Sequence, residues 1–231
     1  MIIKNNTMVV VFDLDDTLYQ EIDFLKSAFQ EISDILSKEV AESAETLYRY
    51  MLQCYKTGGD TFQTVIETYG VQKYNLTDLV AIYRNHYPDI ALSHDTQDVL
   101  NSIKKEAYKV GLITDGRALQ QHHKLKALGL QDYFDATVIS ESFGSSKPDA
   151  RNYEYYETLF GVTYHYVYVG DNTNKDFIAP NALGWTTVCL KDKGRNIHKQ
   201  EFKGDDSKQP QFVIRHLSEL SSLLFKLPTT S

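Results

Sequence analysis

Two kinds of apolar pattern alternate along most of this chain, and their order constrains the fold more than any other feature. Short β-rich runs occupy Met8 to Phe12, Val110 to Thr114, Ala136 to Ser140, Tyr166 to Gly170 and Thr186 to Leu190, with a sixth candidate at Gln211 to Ile214. Between them, helical patterns fit Thr96 to Lys105, Ala118 to Leu128, Tyr153 to Phe160 and Asn174 to Leu183. Strands separated by helices are joined by crossovers, not hairpins, so they pair in parallel. The expected fold class is α/β, a doubly wound parallel sheet with right-handed connections.

One interval breaks the alternation. More than 90 residues separate the first strand from the second, where a simple crossover needs only about a dozen. Within the gap, Leu25, Ala28, Phe29, Ile32, Ile35 and Leu36 follow the spacing of an amphipathic helix, and Tyr48, Met51, Leu52 and Tyr55 repeat it. Thr61 to Tyr69 and Leu76 to His86 fit two more helices, with breaks at Gly58-Gly59, Gly70 and Pro88. Residues 19–93 therefore read as a small helical domain inserted into a core formed by 1–18 and 94–231. The polar stretch Lys191 to Gln209 reads as a surface loop without chemistry.

The chain has 24 Lys and Arg against 31 Asp and Glu, a net charge of −7, which argues against a broad nucleic-acid surface. No apolar run exceeds five residues, so no membrane span is expected. Met1 to Thr7 is not followed by a secretory-type segment, and Cys54 and Cys189 lie far apart, which together suggest a cytoplasmic protein with reduced thiols.

Chemistry concentrates where the strands end, the edge at which open α/β sheets bind ligands. The first strand delivers Asp13-Leu14-Asp15-Asp16-Thr17. Two acids one residue apart can divide the work, one attacking and the other handling a proton. Alone, the motif would read as an acidic turn. The second strand, however, ends in Thr114-Asp115-Gly116, the third is followed by Lys147-Pro148, and the fourth runs into Gly170-Asp171-Asn172 with Asp176 beyond.

These four segments resemble the motifs of the haloacid dehalogenase-like superfamily, specifically the subfamily with a helical cap inserted after the first motif; the likeness spans residues 8–190. It implies a Rossmann-like catalytic core with an inserted α-helical cap, and a magnesium-dependent phosphatase of a small phosphorylated metabolite. By that resemblance Asp13 is the nucleophile and Asp15 the acid and base. Asp13, the Asp15 carbonyl and Asp171 would hold Mg2+, Thr114 and Lys147 would hold the phosphoryl group, and Asn172 and Asp176 would form an outer shell.

Asp115 stands beside the phosphate site where the family often has Asn, and would either weaken phosphate binding or bind a cationic or hydroxyl-rich leaving group; Arg117 is a candidate to offset its charge or touch phosphate. Lys56 and Asp60, flanking Gly58-Gly59, are candidates for a loop that reaches substrate, though an ordinary turn explains them too. The rival readings are a sugar-phosphate mutase of the same family and a non-catalytic phosphoacceptor domain. Receiver domains of the latter kind are about half this length by resemblance and lack the insertion. The oligomeric state is left open.

Overall fold

In the computed structural model, which describes residues 7–224, six strands form one parallel sheet. They are β1 (Met8–Phe12), β2 (Lys109–Thr114), β3 (Ala136–Ile139), β4 (His165–Gly170), β5 (Thr186–Leu190) and β6 (Phe212–Ile214), in spatial order β3-β2-β1-β4-β5-β6. β1 is central: Val10 pairs with Val110 on one side and Val167 on the other. All five of its residues are buried because both faces of the sheet are covered.

The period-two geometry of the strand divides these residues between two cores. Met8, Val10 and Phe12 pack with Val99, Leu100 and Ile103 of α5 (His94–Glu106), Leu125 of α6 (Ala118–Ala127) and the C-terminal α10 (Glu219–Leu224). Val9 and Val11 pack instead with Tyr153 and Tyr156 of α8 (Arg151–Phe160), with Trp185 and with Ala179 of α9 (Ile178–Ala182). A short α7 (Ser140–Phe143) follows β3 directly. The sheet is doubly wound, as the alternation of patterns requires.

Between β1 and α5 lie α1 (Glu21–Leu36), α2 (Ala44–Thr57), α3 (Thr61–Tyr69) and α4 (Leu76–Asn85). Their apolar faces meet in a cluster of their own that includes Phe29, Ile32, Met51, Val65 and Leu79. Ser43, Asp60 and Asn75 cap α2, α3 and α4 by accepting backbone N–H groups. The candidate substrate loop thus has a local explanation, with Gly58 ending α2 in a left-handed conformation and Asp60 starting α3.

Most boundaries shift by one or two residues, and two of the differences have a local cause. The helix expected over Asn174–Leu183 is confined to Ile178–Ala182, because the preceding turn is organised around the Asp176 carboxylate. The strand expected to reach Ser140 stops at Ile139, because Ser140 starts α7 and its Oγ accepts the Gly116 N–H. Both cysteines are free and buried, and no helix among the described residues is long and apolar enough to cross a membrane. Residues 1–6, which carry most of the leader reading, lie outside the described residues.

Candidate active site

The strand order brings the motifs together. Because β1 lies between β2 and β4, Asp13 and Asp171, each just past its strand, and Thr114, the last residue of β2, stand side by side at one edge. The Asp13 N–H still donates to the Val169 carbonyl at 2.8 Å, so the nucleophile candidate is an extension of the β1–β4 ladder. Lys147 enters from the loop beyond α7. Its Nζ lies 2.6 Å from Asp13 Oδ1 and 2.8 Å from Asp176 Oδ1, and it donates to the Tyr168 hydroxyl at 3.1 Å. Burial alone would lower the pKa of this ammonium, but Asp13 and Asp176 outweigh it and raise it well above the usual value.

Asp176 serves as a brace. Its Oδ2 accepts the backbone N–H groups of Asp171 and Asn172 while Oδ1 holds Lys147. Asp16 braces the other side from a left-handed conformation, φ +59°. Its Oδ1 accepts the N–H of Glu21 at the start of α1, and its Oδ2 accepts the N–H of Ile197.

Carboxylates dominate the site. Asp13, Asp15, Asp16, Glu21, Asp115 and Asp171 line a cavity of about 110 Å³ with Asn172, Lys175 and His198. Burial, assisted by the neighbouring charge of Asp176 and Asp15, pushes Asp13 up to about 7 despite Lys147. Burial together with Asp13, Asp176 and Asp16 pushes Asp171 up to about 9, and burial with Asp15 pushes Glu21 to about 7. Oxygens of Asp13, Asp171 and Asp176 lie within 4.8 Å of one another, so this cluster could hold a metal ion. Hard oxygen donors carrying uncompensated negative charge fit a divalent cation. Asp13 accepts from Lys147 and Thr17, and Asp176 accepts two backbone N–H groups and faces Lys147, whereas Asp171 has a side-chain partner, Asn196, on Oδ2 and is the freest donor of the three.

Asp15 is held differently from its neighbours. Its Oδ1 receives Lys124 Nζ at 2.6 Å and the Tyr19 hydroxyl at 2.5 Å, and its Oδ2 receives Gln121 Nε2 at 2.9 Å. Burial raises its pKa, but Lys124 and these hydrogen bonds outweigh burial and hold it below the ordinary carboxylate range. Gln121 also reaches Thr114 Oγ1 at 2.5 Å.

Three expectations need revision. Arg117 is exposed at the start of α6, and the cation beside Asp115 is Lys175, with Nζ 2.6 Å from Oδ2. The Asp115 Oδ1 also accepts the Lys147 N–H, so this acid shapes the lysine loop. The stretch 191–209 is not a detached surface loop, for Asn196 Nδ2 donates to Asp171 Oδ2 at 2.7 Å and Gln200 donates to the Asp171 carbonyl at 2.8 Å. Nothing local in that polar segment signals these contacts. Gln121 and Lys124 did carry a signal, being polar residues on the face of α6 that also buries Leu125.

The family model for haloacid dehalogenase-like hydrolases matches residues 10–190. The chain belongs to the haloacid dehalogenase-like hydrolases. Relatives of this hydrolase include glyceraldehyde 3-phosphate phosphatase of Methanocaldococcus jannaschii, 29% identical, with 94% of this chain and 97% of the relative covered. Pyrimidine 5′-nucleotidase of Escherichia coli is 27% identical with the same coverage. Among solved structures, a phosphatase of the family from Thermococcus onnurineus matches with a TM-score of 0.60 at 23% identity, covering 94% of this chain and 97% of its own. L-2-haloacid dehalogenase from Xanthobacter autotrophicus matches at 0.59 and 18%, covering 95% and 99%. Both kinds of enzyme share the fold of this hydrolase, so the fold alone does not choose between their reactions.

Proposed function

We propose that this hydrolase is a magnesium-dependent phosphatase that cleaves a small phosphate monoester through a phosphoaspartate on Asp13. The observation that carries the reading is the pair Asp13 and Asp15 at the end of β1, with Lys147 2.6 Å from the first and a separate set of donors fixing the second. A haloacid dehalogenase needs no proton donor at the place of Asp15, and phosphate ester cleavage does. The relatives named as phosphatase and nucleotidase support the same reaction class.

In the first step an Asp13 oxygen bonds to phosphorus as the ester P–O bond breaks, and the protonated form of Asp15, the minor form beside Lys124, supplies a proton to the departing alkoxide. In the second, water attacks the phosphoryl group, Asp15 takes its proton, and Asp13 is released. Lys147 and Thr114 would stabilise the transferring oxygens. Magnesium held by Asp13, Asp171 and the Asp15 carbonyl would neutralise the carboxylates and phosphate that must meet there. Asn172 and Asp176 keep the turn and Lys147 in place. Residues 19–93 act as a cap over the strand ends, excluding water and contacting the leaving group.

The test is hydrolysis of an aryl phosphate with and without magnesium, with release of free phosphate as the readout; equal rates in both conditions would remove the proposal. Asp13→Asn abolishes turnover, a loss of ~10⁴-fold or more as expected for removing a nucleophile. Asp15→Asn lowers turnover by ~10²- to 10⁴-fold, and acid quenching traps the phosphoenzyme formed from a good leaving group. Transfer of phosphate within one sugar without free phosphate would indicate a mutase instead.

A further inference from the structure

Lys124 lies in the last turn of α6 and is only 2% exposed, next to the buried apolar residue Leu125. Its Nζ is 2.6 Å from Asp15 Oδ1, 3.6 Å from Glu21 Oε1 and 4.8 Å from the centre of the Phe24 ring. Asp15 belongs to the loop after β1, whereas Glu21 and Phe24 belong to α1. One turn earlier on α6, Gln121 is 1% exposed and holds the other Asp15 oxygen together with Thr114. Removing a lysine from water is costly unless its charge is paired, and an apolar side chain of similar volume packs as well. Packing therefore does not explain a cation at this position.

Geometry offers an explanation. A carboxylate on a loop can rotate about two side-chain bonds, and a proton donor or acceptor only a fraction of an ångström or a few tens of degrees out of place loses much of its effect. Here each Asp15 oxygen is fixed by a donor on one rigid helix. We propose that Lys124, with Gln121, is a positioning residue for Asp15, fixing the carboxylate that exchanges the proton and tying it to the first helix of the insertion through Glu21 and Phe24. This rests on the reading of Asp15 as the acid and base. Neither α6 residue touches the phosphoryl group in this assignment; Lys124 acts through Asp15, whereas Gln121 also reaches Thr114.

The experiment is a double-mutant cycle with an aryl phosphate, read by rapid acid quench. Lys124→Met should lower kcat by ~10²-fold, the scale of general acid–base catalysis, and accumulate phosphoenzyme as Asp15→Asn does. Its KM should stay within about threefold of wild type, since binding of the phosphoryl group is untouched. On an Asp15→Asn background the same change should cost less than about twofold, because residues that act through one another are non-additive. Lys126→Met removes an exposed cation from the same helix and should leave kcat unchanged.

Should Lys124→Met fail to fold by thermal melting, Lys124→Gln, which removes the charge with a shorter polar side chain, takes its place in the cycle with the same expected non-additivity. Full multiplication of the two losses, or an unchanged kcat in Lys124→Met, would overturn the proposal. Failure of the parent reading shows itself separately, as activity surviving in Asp13→Asn or no trapped phosphoenzyme in Asp15→Asn.

Discussion

Asp171 shows how single residues in this site are held against their own preference. Its carboxyl titrates near 9 in the fold because of burial and the charges of Asp13, Asp176 and Asp16, against 3.8 for an ordinary Asp. The folded metal-free protein keeps this proton where the unfolded chain has lost it, so unfolding releases a proton between those two values. Stability from this group is therefore present at low pH and is lost as pH rises toward 9. Asp171→Asn removes the penalty. In EDTA, its Tm advantage over wild type should widen from pH 5 to pH 9, while the gain in Tm on adding magnesium to wild type should vanish in the variant. A constant difference across that range would show that Asp171 carries no such charge penalty. The same excess of carboxylates is what a bound cation would relieve.

At the scale of elements, two glycines record how closely helices and turns approach the strands. A Cβ on Gly111 of β2 would lie 2.2 Å from Tyr156 Cε1, and Tyr156 uses its hydroxyl to bond the Leu112 N–H and carbonyl of the same strand. Gly111→Ala should destabilise the protein by about 1–3 kcal/mol, the usual cost of overpacking, measured as a lower urea midpoint at unchanged slope. A Cβ on Gly170 at the end of β4 would lie 2.4 Å from Asp176 Oδ2. Gly170→Ala should displace the brace that holds the Asp171 turn and Lys147, lowering kcat along with stability. Retention of full kcat in a folded Gly170→Ala variant would argue that Asp176 does not need this position.

The whole molecule is acidic, with a net charge of −7, and the cavity at the strand ends is more so. One cation and Lys147 would compensate a single phosphate. A second phosphate about 8 Å away would meet uncompensated carboxylates at a cost on the order of 1–2 kcal/mol. Sugar bisphosphates should therefore show kcat/KM roughly tenfold below the matching monophosphates, a gap that narrows with added salt. Equal kcat/KM for the two classes would place a cationic subsite near the cavity that this charge balance omits.

The core fold and the principal site were legible because each depends on local signals. Alternating strand and helix patterns specify a parallel sheet. A loop that follows a strand in such a sheet must emerge at its carboxyl edge, so Asp13, Thr114, Lys147 and Asp171 could be placed together from spacing and motif alone. The helical insertion was legible from the length of one interval and from its 3.6-residue periodicity. What remained hidden was every contact made across sequence separation without a periodic or motif signature. Lys175 beside Asp115 and Asn196 against Asp171 are separated by 60 and 25 positions. A polar residue in a loop or on a helix has the same local pattern whether it meets water or a buried carboxylate. The sequence determined which carboxylates stand at the strand ends, and the tertiary structure alone decided which distant cations and amides hold those carboxylates in place, because that choice depends on packing rather than on local propensity.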